Sequence, residues 1–515
     1  MLRSSLVVSA WTLISRVLGF VRDVLLAAWF GAGAGMDAFL VAFKIPNFLR
    51  RLFAEGAFSQ AFVPVLAETR ALEGEEGVRE LVARTLGLLA TVLALLSLIA
   101  ILAAPWLVAV FAPGFGADDG RAPQAAQLLR VTFPYLFFIS LVALASAVLQ
   151  TWQRFAWPAF APVLLNLCLI GAGWMGTQWA ENPLLSLAWG VFAAGVAQLL
   201  LVLLPVWKMG LLRWPRWQPG DARVRRILKL MAPIVFASSV AQVALLIDSI
   251  LASLLTVGSV SWLYFADRLM ELPLGVFAIA LATVLLPGLS RTHAAGQADA
   301  FRAQLHWGIV LAAAIVLPAA IALFVLAEPL VRGLFEYGEF SSQDTAMTAA
   351  ALRAYALGLL GFSYVKILFP AYSSRQDTRT PVRIGLMALS VGMVFNLSTV
   401  GLALLLGYAG AHWLLALGTS VAACLNAGLL WARLPPALRE GLPLGLLGRL
   451  LLASVLMGAL LWQLRTLWPL SLEPSALERA GPLALLIGAG LLAYSAFLLL
   501  MGVRPAQLLR ARGTV

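Results

Sequence analysis

Ionisable side chains stand in three places where the surrounding chain is apolar. The first stretch carries Arg16, Arg22 and Asp23. The second carries Asp37, Lys44, Arg50 and Arg51, with Glu55 one turn beyond. The third, near mid-chain, carries Asp267, Arg268 and Glu271. If these stretches are helices, Arg16 and Asp23 share a face and Arg22 lies about 100° round the axis. Asp37, Lys44 and Arg51 recur at heptad spacing and form one charged stripe, with Arg50 beside it. Glu271 falls three and four residues after Arg268 and Asp267, within reach of both. Basic groups outnumber the acids that could neutralise them. A guanidinium presents two parallel donors that match the oxygens of a phosphate. The chemistry on offer is capture of an anion.

Composition says what must position these groups. Of 515 residues, 62% are hydrophobic and 12% charged, against about half and about a quarter in an ordinary globular protein. Mean hydropathy is +0.92. A disordered, collagen-like, disulfide-rich or coiled-coil chain is excluded, and so is a string of soluble domains. A spanning helix needs roughly 20 apolar residues. In lipid only helices and closed barrels satisfy their own backbone, and these apolar runs are too long and continuous for barrel strands. The expected class is an all-α polytopic membrane protein. About 14 transmembrane helices are expected, at about 6–30, 36–60, 80–111, 127–150, 158–179, 184–207, 227–256, 261–289, 304–335, 346–371, 381–406, 410–432, 447–468 and 482–502. A charge at the centre of such a helix costs about 2.5–3.5 kcal/mol on insertion scales. The charged faces must therefore meet each other, as structural ion pairs, or line a hydrated cavity. Their concentration in the first two spans of each half, and the excess of cations, favour the cavity.

The halves come from an internal repeat. Pro64 and Pro287, Arg130 and Arg353, and Pro158 and Pro381 are each 223 residues apart. "APWLVAVFAPGF" and "EPLVRGLFEYGEF" align at 224, through Pro105/Pro329, Phe111/Phe335 and Gly114/Gly338. The expected organisation is a six-helix lobe over 1–215, a second over 222–437 and two additional helices over 445–505. Six spans restore the original orientation, so the repeat is parallel, about an axis along the membrane normal. That design suits a transporter that rocks one half against the other. Loop charge orients the chain. Lys208, Arg213, Arg216, Arg223, Arg225, Arg226 and Lys229 crowd the connection between spans six and seven, and Arg154, Arg291, Arg302, Arg375, Arg379, Arg383, Arg433 and Arg439 fall on the same side. Asp118, Asp119, Glu181, Glu336, Glu339, Asp344, Glu473 and Glu478 fall on the other. The positive-inside rule then places both termini in the cytoplasm. It also accounts for the formal net charge of +12 without nucleic acid.

Asp248 stands alone in "ALLIDSIL" of span seven. It binds a cation, takes a proton or meets an arginine. Asn396 of span eleven is a candidate polar partner for it, or else makes an interhelical hydrogen bond. His293, His306 and His412 are scattered. Cys168 and Cys424 show neither a disulfide framework nor metal-ligand spacing. No P-loop and no H-E-x-x-H sequence occurs, and the Asp118–Asp119 pair lacks a partner motif. Energy must come from the membrane potential, an ion gradient or the substrate's own gradient. The N-terminal run, with Arg16, Arg22 and Asp23 inside it, does not read as a cleavable signal peptide.

"SRVLGFVRDVLLAAWFGAGAGMDAFLVAFKIPNFLRRLFAEGAFSQAFVPVLAE", residues 15–68, closely resembles the start of the MurJ (MviN) lipid II flippases, within the multidrug/oligosaccharidyl-lipid/polysaccharide exporter superfamily. "GSVSWLYFADRLMELPLGVFAIALATVLLPGLS" (258–290) and "SRQDTRTPV" (374–382) resemble later family segments in the same order. The resemblance covers essentially the whole chain. It implies fourteen spans, a central cationic cavity between two lobes, and a hydrophobic groove for a polyprenyl tail on the last two helices. The substrate it implies is lipid II, an undecaprenyl diphosphate bearing the peptidoglycan disaccharide-peptide, moved from the inner to the outer leaflet of the bacterial cytoplasmic membrane by alternating access. Family positions map onto Arg16, Arg22, Asp23, Asp37, Arg50, Arg268 and Glu271, and the charged stripe adds Lys44. Arginines would hold the diphosphate; acids would order them or gate the cavity. A sodium site in some relatives maps to Asp248, with Asn396 in place of a second carboxylate. The expected partners are lipid II, membrane lipids and the cell-wall synthesis machinery. No catalysis, and no cofactor beyond a coupling sodium or proton, is expected. An ion-coupled exporter of drugs or of another lipid-linked glycan is the alternative. A membrane-embedded glycan polymerase or prenyl-lipid enzyme would need large outer loops or paired metal-binding carboxylates, and neither is evident.

Overall fold

Long apolar runs become helices because a helix satisfies every backbone group within its own segment. In the computed structural model the described residues are 2–53, 58–116, 119–408, 410–467, 476–504 and 508, and among them no strand occurs. Glu55, Asp118 and Glu473 lie outside the described residues. The chain divides into two units, Met1–Ser261 and Trp262–Val515. The first holds α1 (Leu2–Phe30), α2 (Ala34–Phe53), α3 (Ser59–Leu102), α4 (Ala104–Phe111), α5 (Arg121–Thr132), α6 (Tyr135–Thr151), α7 (Ala156–Trp179), α8 (Pro183–Lys208) and α9 (Ala222–Ser253), and ends in the first turn of α10 (Ser259–Pro273). The second holds the rest of α10, a π-helical turn at Leu274–Ala278, α11 (Ile279–Ala294), α12 (Ala298–Val325), α13 (Ala327–Phe335), α14 (Ser342–Ser373), α15 (Arg379–Leu405), α16 (His412–Arg433), α17 (Pro436–Arg439), α18 (Leu444–Leu467) and α19 (Ala476–Leu500).

Ten stretches of described residues are long and apolar enough to cross a bilayer. Helices α1, α2, α9 and α10 are not among them, and these carry the charged clusters. Several expected boundaries differ, and two have a clear local cause. Residues 61–79 read as a loop, yet α3 runs through them, because Ala, Glu, Leu and Arg are strong helix formers even where they are too polar for lipid. The break comes at Gly74 (φ 70°, ψ −158°), a backbone shape that glycine adopts readily. The expected continuous span over 261–289 is α10 and α11 joined through the π-helical turn after Pro273, whose ring removes a helical donor.

The repeat is visible in the backbone. Helix α3 is capped at its C-terminus by Ala103 and α12 by Leu326, 223 residues on. Each is followed by a short helix with a proline in its first turn that ends at Phe111 or Phe335. Among the described residues, Gln153 (φ 58°) and Gln376 (φ 60°) are the non-glycine positions with positive φ, again 223 apart. Both turns close with the same long-reach bond. The Arg154 N–H donates to Leu149 O at 2.8 Å, and the Asp377 N–H to Tyr372 O at 3.1 Å. A left-handed residue other than glycine costs about 1–2 kcal/mol, so its recurrence at one offset marks duplication.

The basic connection between α8 and α9 is bound along α3. The Arg216 N–H donates to Ala83 O at 3.0 Å. Its backbone passes so close to Gly87 that a Cβ there would lie 2.4 Å from Arg216 O. Arg213 pairs with Glu76, Arg223 with Glu73 and Glu80, Arg226 with Glu68, and Arg84 with Glu80 and Asp221. The carboxylates of α3 thus neutralise much of a loop that reads as bare positive charge. Asp221 caps α9 by accepting from the Arg223 and Val224 N–H groups at 2.8 and 3.2 Å. Burial alone would push its carboxyl up. The bonds from Arg223, Arg84 and the Val224 N–H outweigh that and hold it down at about 2. A depressed acid stabilises the fold above its unfolded value of about 3.9. The stabilisation is lost as pH falls towards about 2. The gap in melting temperature between wild type and Asp221→Asn is therefore expected to stay level down to about pH 5 and to close below it. A gap that widens in acid would contradict this assignment.

Candidate functional site

Arg22 and Asp23 are adjacent on α1, and both are buried, at 8% and 1% exposure. Two neighbouring helical positions point about 100° apart, so the long arginine must curl to reach its neighbour. It does so with Nε and Nη2, at 3.0 and 2.6 Å from the same oxygen, Asp23 Oδ1. Its Nη1 donates to Asn166 Oδ1 on α7 at 3.0 Å. Arg22 is thus held on two sides. Arg16, two turns before Asp23 on the same face of α1, is exposed. The sequence reading passed over Asn166. The signal was there: one amide in the apolar run "VLLNLCLI".

On α2 two members of the heptad stripe meet neighbouring elements, Asp37 the start of α10 and Lys44 the end of α9. Asp37 is fully buried. Its oxygens accept from the Gly258 N–H at 2.7 Å, the Ser261 N–H at 2.9 Å and the Ser261 hydroxyl at 2.6 Å. The first turn of α10 has N–H groups with no intrahelical acceptor, and a carboxylate is suited to receive them. Arg121 Nη1 stands 3.9 Å away. Two turns along α2, Lys44 donates to the Ser249 hydroxyl at 3.2 Å, beside Asp248. Arg50 is half-buried and donates to Asn47 Oδ1 at 3.0 Å, while Arg51 is exposed. Pro46 cannot donate to Ala42 O, and the buried Thr132 hydroxyl bonds that carbonyl at 3.0 Å. That bond keeps α2 helical through the proline.

Outside the apolar segments, Asp119 holds Arg121 at 2.6 Å. Partial burial pushes its carboxyl up, and the Arg121 N–H and guanidinium bring it below its ordinary range.

In the second unit Arg268 Nη1 bonds Glu271 at 2.8 Å, and its guanidinium lies 4.9 Å from the Tyr264 ring. Asp267 is half-buried and Glu271 exposed. Asn396 of α15 is buried against α16, where Gly418 leaves it room: a Cβ there would lie 1.8 Å from Asn396 Oδ1. Asp248 belongs to the first unit and Asn396 to the second. Among the described residues no group of three His, Cys, Asp or Glu side chains could hold a metal ion. His306 and His412 are buried against backbone carbonyls, of Leu438 and Met347, and His293 packs edge-on to Phe301. Cys168 and Cys424 are free thiols.

Ordered cations and acids in a chain with ten stretches long and apolar enough to cross a bilayer mark a multi-pass membrane protein. Solved structures share the fold. "Lipid II flippase MurJ, inward closed conformation" superposes with a TM-score of 0.79, at 24% identity over 98% of this chain and 100% of that one. An inward-facing multidrug-resistance MATE family transporter of the MOP superfamily gives 0.64, at 16% identity over 83% and 97%. Sequence narrows the class. The family model "Lipid II flippase MurJ" matches residues 26–477. The Vibrio cholerae protein named "Probable lipid II flippase MurJ" is 44% identical over 99% of this chain and 97% of its own. The Burkholderia cenocepacia "Lipid II flippase MurJ" is 44% identical over 83% of each chain. The chain belongs to the lipid II flippase MurJ family.

Proposed function

We propose that this protein carries lipid II from the inner to the outer leaflet of the bacterial cytoplasmic membrane by alternating access, with both termini in the cytoplasm. It makes and breaks no covalent bond in doing so. The observation that carries the reading is Arg22, a guanidinium buried in a lipid-spanning fold and fixed in direction by Asp23 and Asn166. A preoriented fork of this kind suits a diphosphate. Arg16, Lys44 and Arg50 in the first unit and Arg268 in the second are the further cations we assign to the head group, with Asp23, Asp37 and Glu271 ordering the chain around them. The repeated lobes, 1–215 and 222–437, supply the two states. The helices over 445–505 take the polyprenyl tail. Leu464, Pro482, Leu485, Leu486 and Ala489 of α18 and α19 line an apolar cavity of about 160 Å³ there, which supports that assignment.

A ligand shifts a conformational equilibrium only by its differential affinity for the two states. Diphosphate offsets repulsion among the cations and so favours the closed state. Asp248 is the carboxylate we assign to a coupling cation, sodium or proton. A negative-inside potential contributes about 2.3 kcal/mol per charge per 100 mV to the return of the empty, positively charged protein, where that charge crosses the full field. Lipid membranes surround the cycle and the cell-wall synthesis machinery consumes its product.

The decisive experiment measures which leaflet exposes lipid II in cells with and without this chain. Depletion is expected to trap lipid II on the inner leaflet. An unchanged lipid II distribution, with another lipid-linked glycan or a drug retained instead, would replace this reading by the exporter alternative.

A further inference from the structure

Asn166 lies across two turns of α1. Its amide nitrogen donates to Ser15 O at 2.9 Å, and its oxygen accepts from Arg22 Nη1 at 3.0 Å. Gly19 sits beneath the carboxamide, which passes 3.6–4.0 Å from where a Cβ would stand. The amide therefore lies against the helix backbone between its two partners. The ends of a carboxamide are not equivalent: one only donates and the other accepts. A backbone carbonyl can only accept, so Ser15 takes the NH2 end, and the oxygen is left facing Arg22. The orientation starts from the α1 backbone and is set before any ligand arrives.

We infer that Asn166 is a positioning residue for anion capture, which aims the Arg22 guanidinium without adding charge. The inference rests on the reading above that Arg22 meets the diphosphate. Arg22 already engages Asp23 through Nε and Nη2. A second carboxylate at position 166 would hold Nη1 equally well, but it would leave the cluster net negative and repel a diphosphate. An aliphatic side chain would leave the charge unchanged and release the fork. Asparagine alone among these choices supplies the direction and keeps the charge balance.

The test uses the purified full chain in lipid nanodiscs, with lipid II and undecaprenyl diphosphate as the probes. Asn166→Leu is expected to weaken binding of both by about tenfold, the value of one hydrogen bond to a charged group. Asn166→Asp should bind more weakly still near neutral pH. In an Arg22→Lys background, Asn166→Leu should cost little more, since the fork it aims is gone. Additive losses, and a fall in melting temperature that tracks the binding loss, would instead make Asn166 a packing residue and overturn the inference. Wild-type-like binding by Asn166→Leu, with Arg22→Ala inactive, would overturn it and leave the transport reading standing. A wild-type chain that binds neither probe would overturn both.

Discussion

Arg22→Ala is expected to abolish lipid II translocation. Two charge-assisted bonds to phosphate, at about 1.5–3 kcal/mol each, correspond to a loss of at least about a hundredfold in affinity. The same substitution deprives the buried Asp23 of this guanidinium, and breaking a buried pair from one side costs about 3–5 kcal/mol. A single variant would confuse the two effects. The double variant Arg22→Ala/Asp23→Asn separates them. It should regain most of the melting temperature that Arg22→Ala loses, and it should regain no transport. Arg22→Lys keeps a charge beside Asp23 but lacks the fork that reaches Asp23 and Asn166 together, and it should also fold and transport poorly. Transport restored along with stability in the double variant would show that the arginine serves the fold and not the substrate.

The second large effect is expected at Asp37, for a different reason. Its carboxylate is fully buried and receives three hydrogen bonds from Gly258 and Ser261. Asp37→Ala leaves those donors without this acceptor, at about 1–3 kcal/mol for each buried group. It also loosens the chain where α9 gives way to α10. Thermal unfolding of purified protein should begin well below wild type, and reconstituted vesicles should translocate little lipid II. Asp37→Asn keeps one acceptor oxygen and should fall between the two. Arg22 and Asp37 thus sit among the same charged residues of the first two helices and should fail differently: at Arg22 the transport loss persists once Asp23→Asn restores the fold, whereas at Asp37 fold and transport fall together. A wild-type melting profile for Asp37→Ala would show that the joint does not depend on this carboxylate.

Much of this molecule is legible in one dimension. The repeat announced itself through Pro64/Pro287, Arg130/Arg353 and Pro158/Pro381, and the backbone repeats it at Gln153/Gln376, the residues that open the segments of the last match. On the heptad stripe of α2, Asp37 meets the start of α10 and Lys44 meets α9. Its members differ all the same: Asp37 is sealed, Lys44 half-buried and Arg51 exposed. Helical periodicity gives the direction of a side chain about its own axis and says nothing of how deep the neighbouring helix lies. The same limit explains the basic α8–α9 connection. Its cations were plain in the sequence, but their acids, Glu68, Glu73, Glu76 and Glu80, stand on α3, well over a hundred residues away.

The sequence by itself determined the membrane class, the duplication, the family and the identity of the charged residues. Each depends on residue type and spacing along the chain, and the cost of placing a charge in lipid is a property of the residue alone. Tertiary structure alone decided what each charge does: Arg22 clasped by Asp23 and Asn166, Asp37 closing the start of α10, Asn396 packed beside Gly418. Hydrogen bonds and ion pairs act over a few ångströms. Which groups come that close is set by the packing of helices remote in the chain, and no local pattern encodes it.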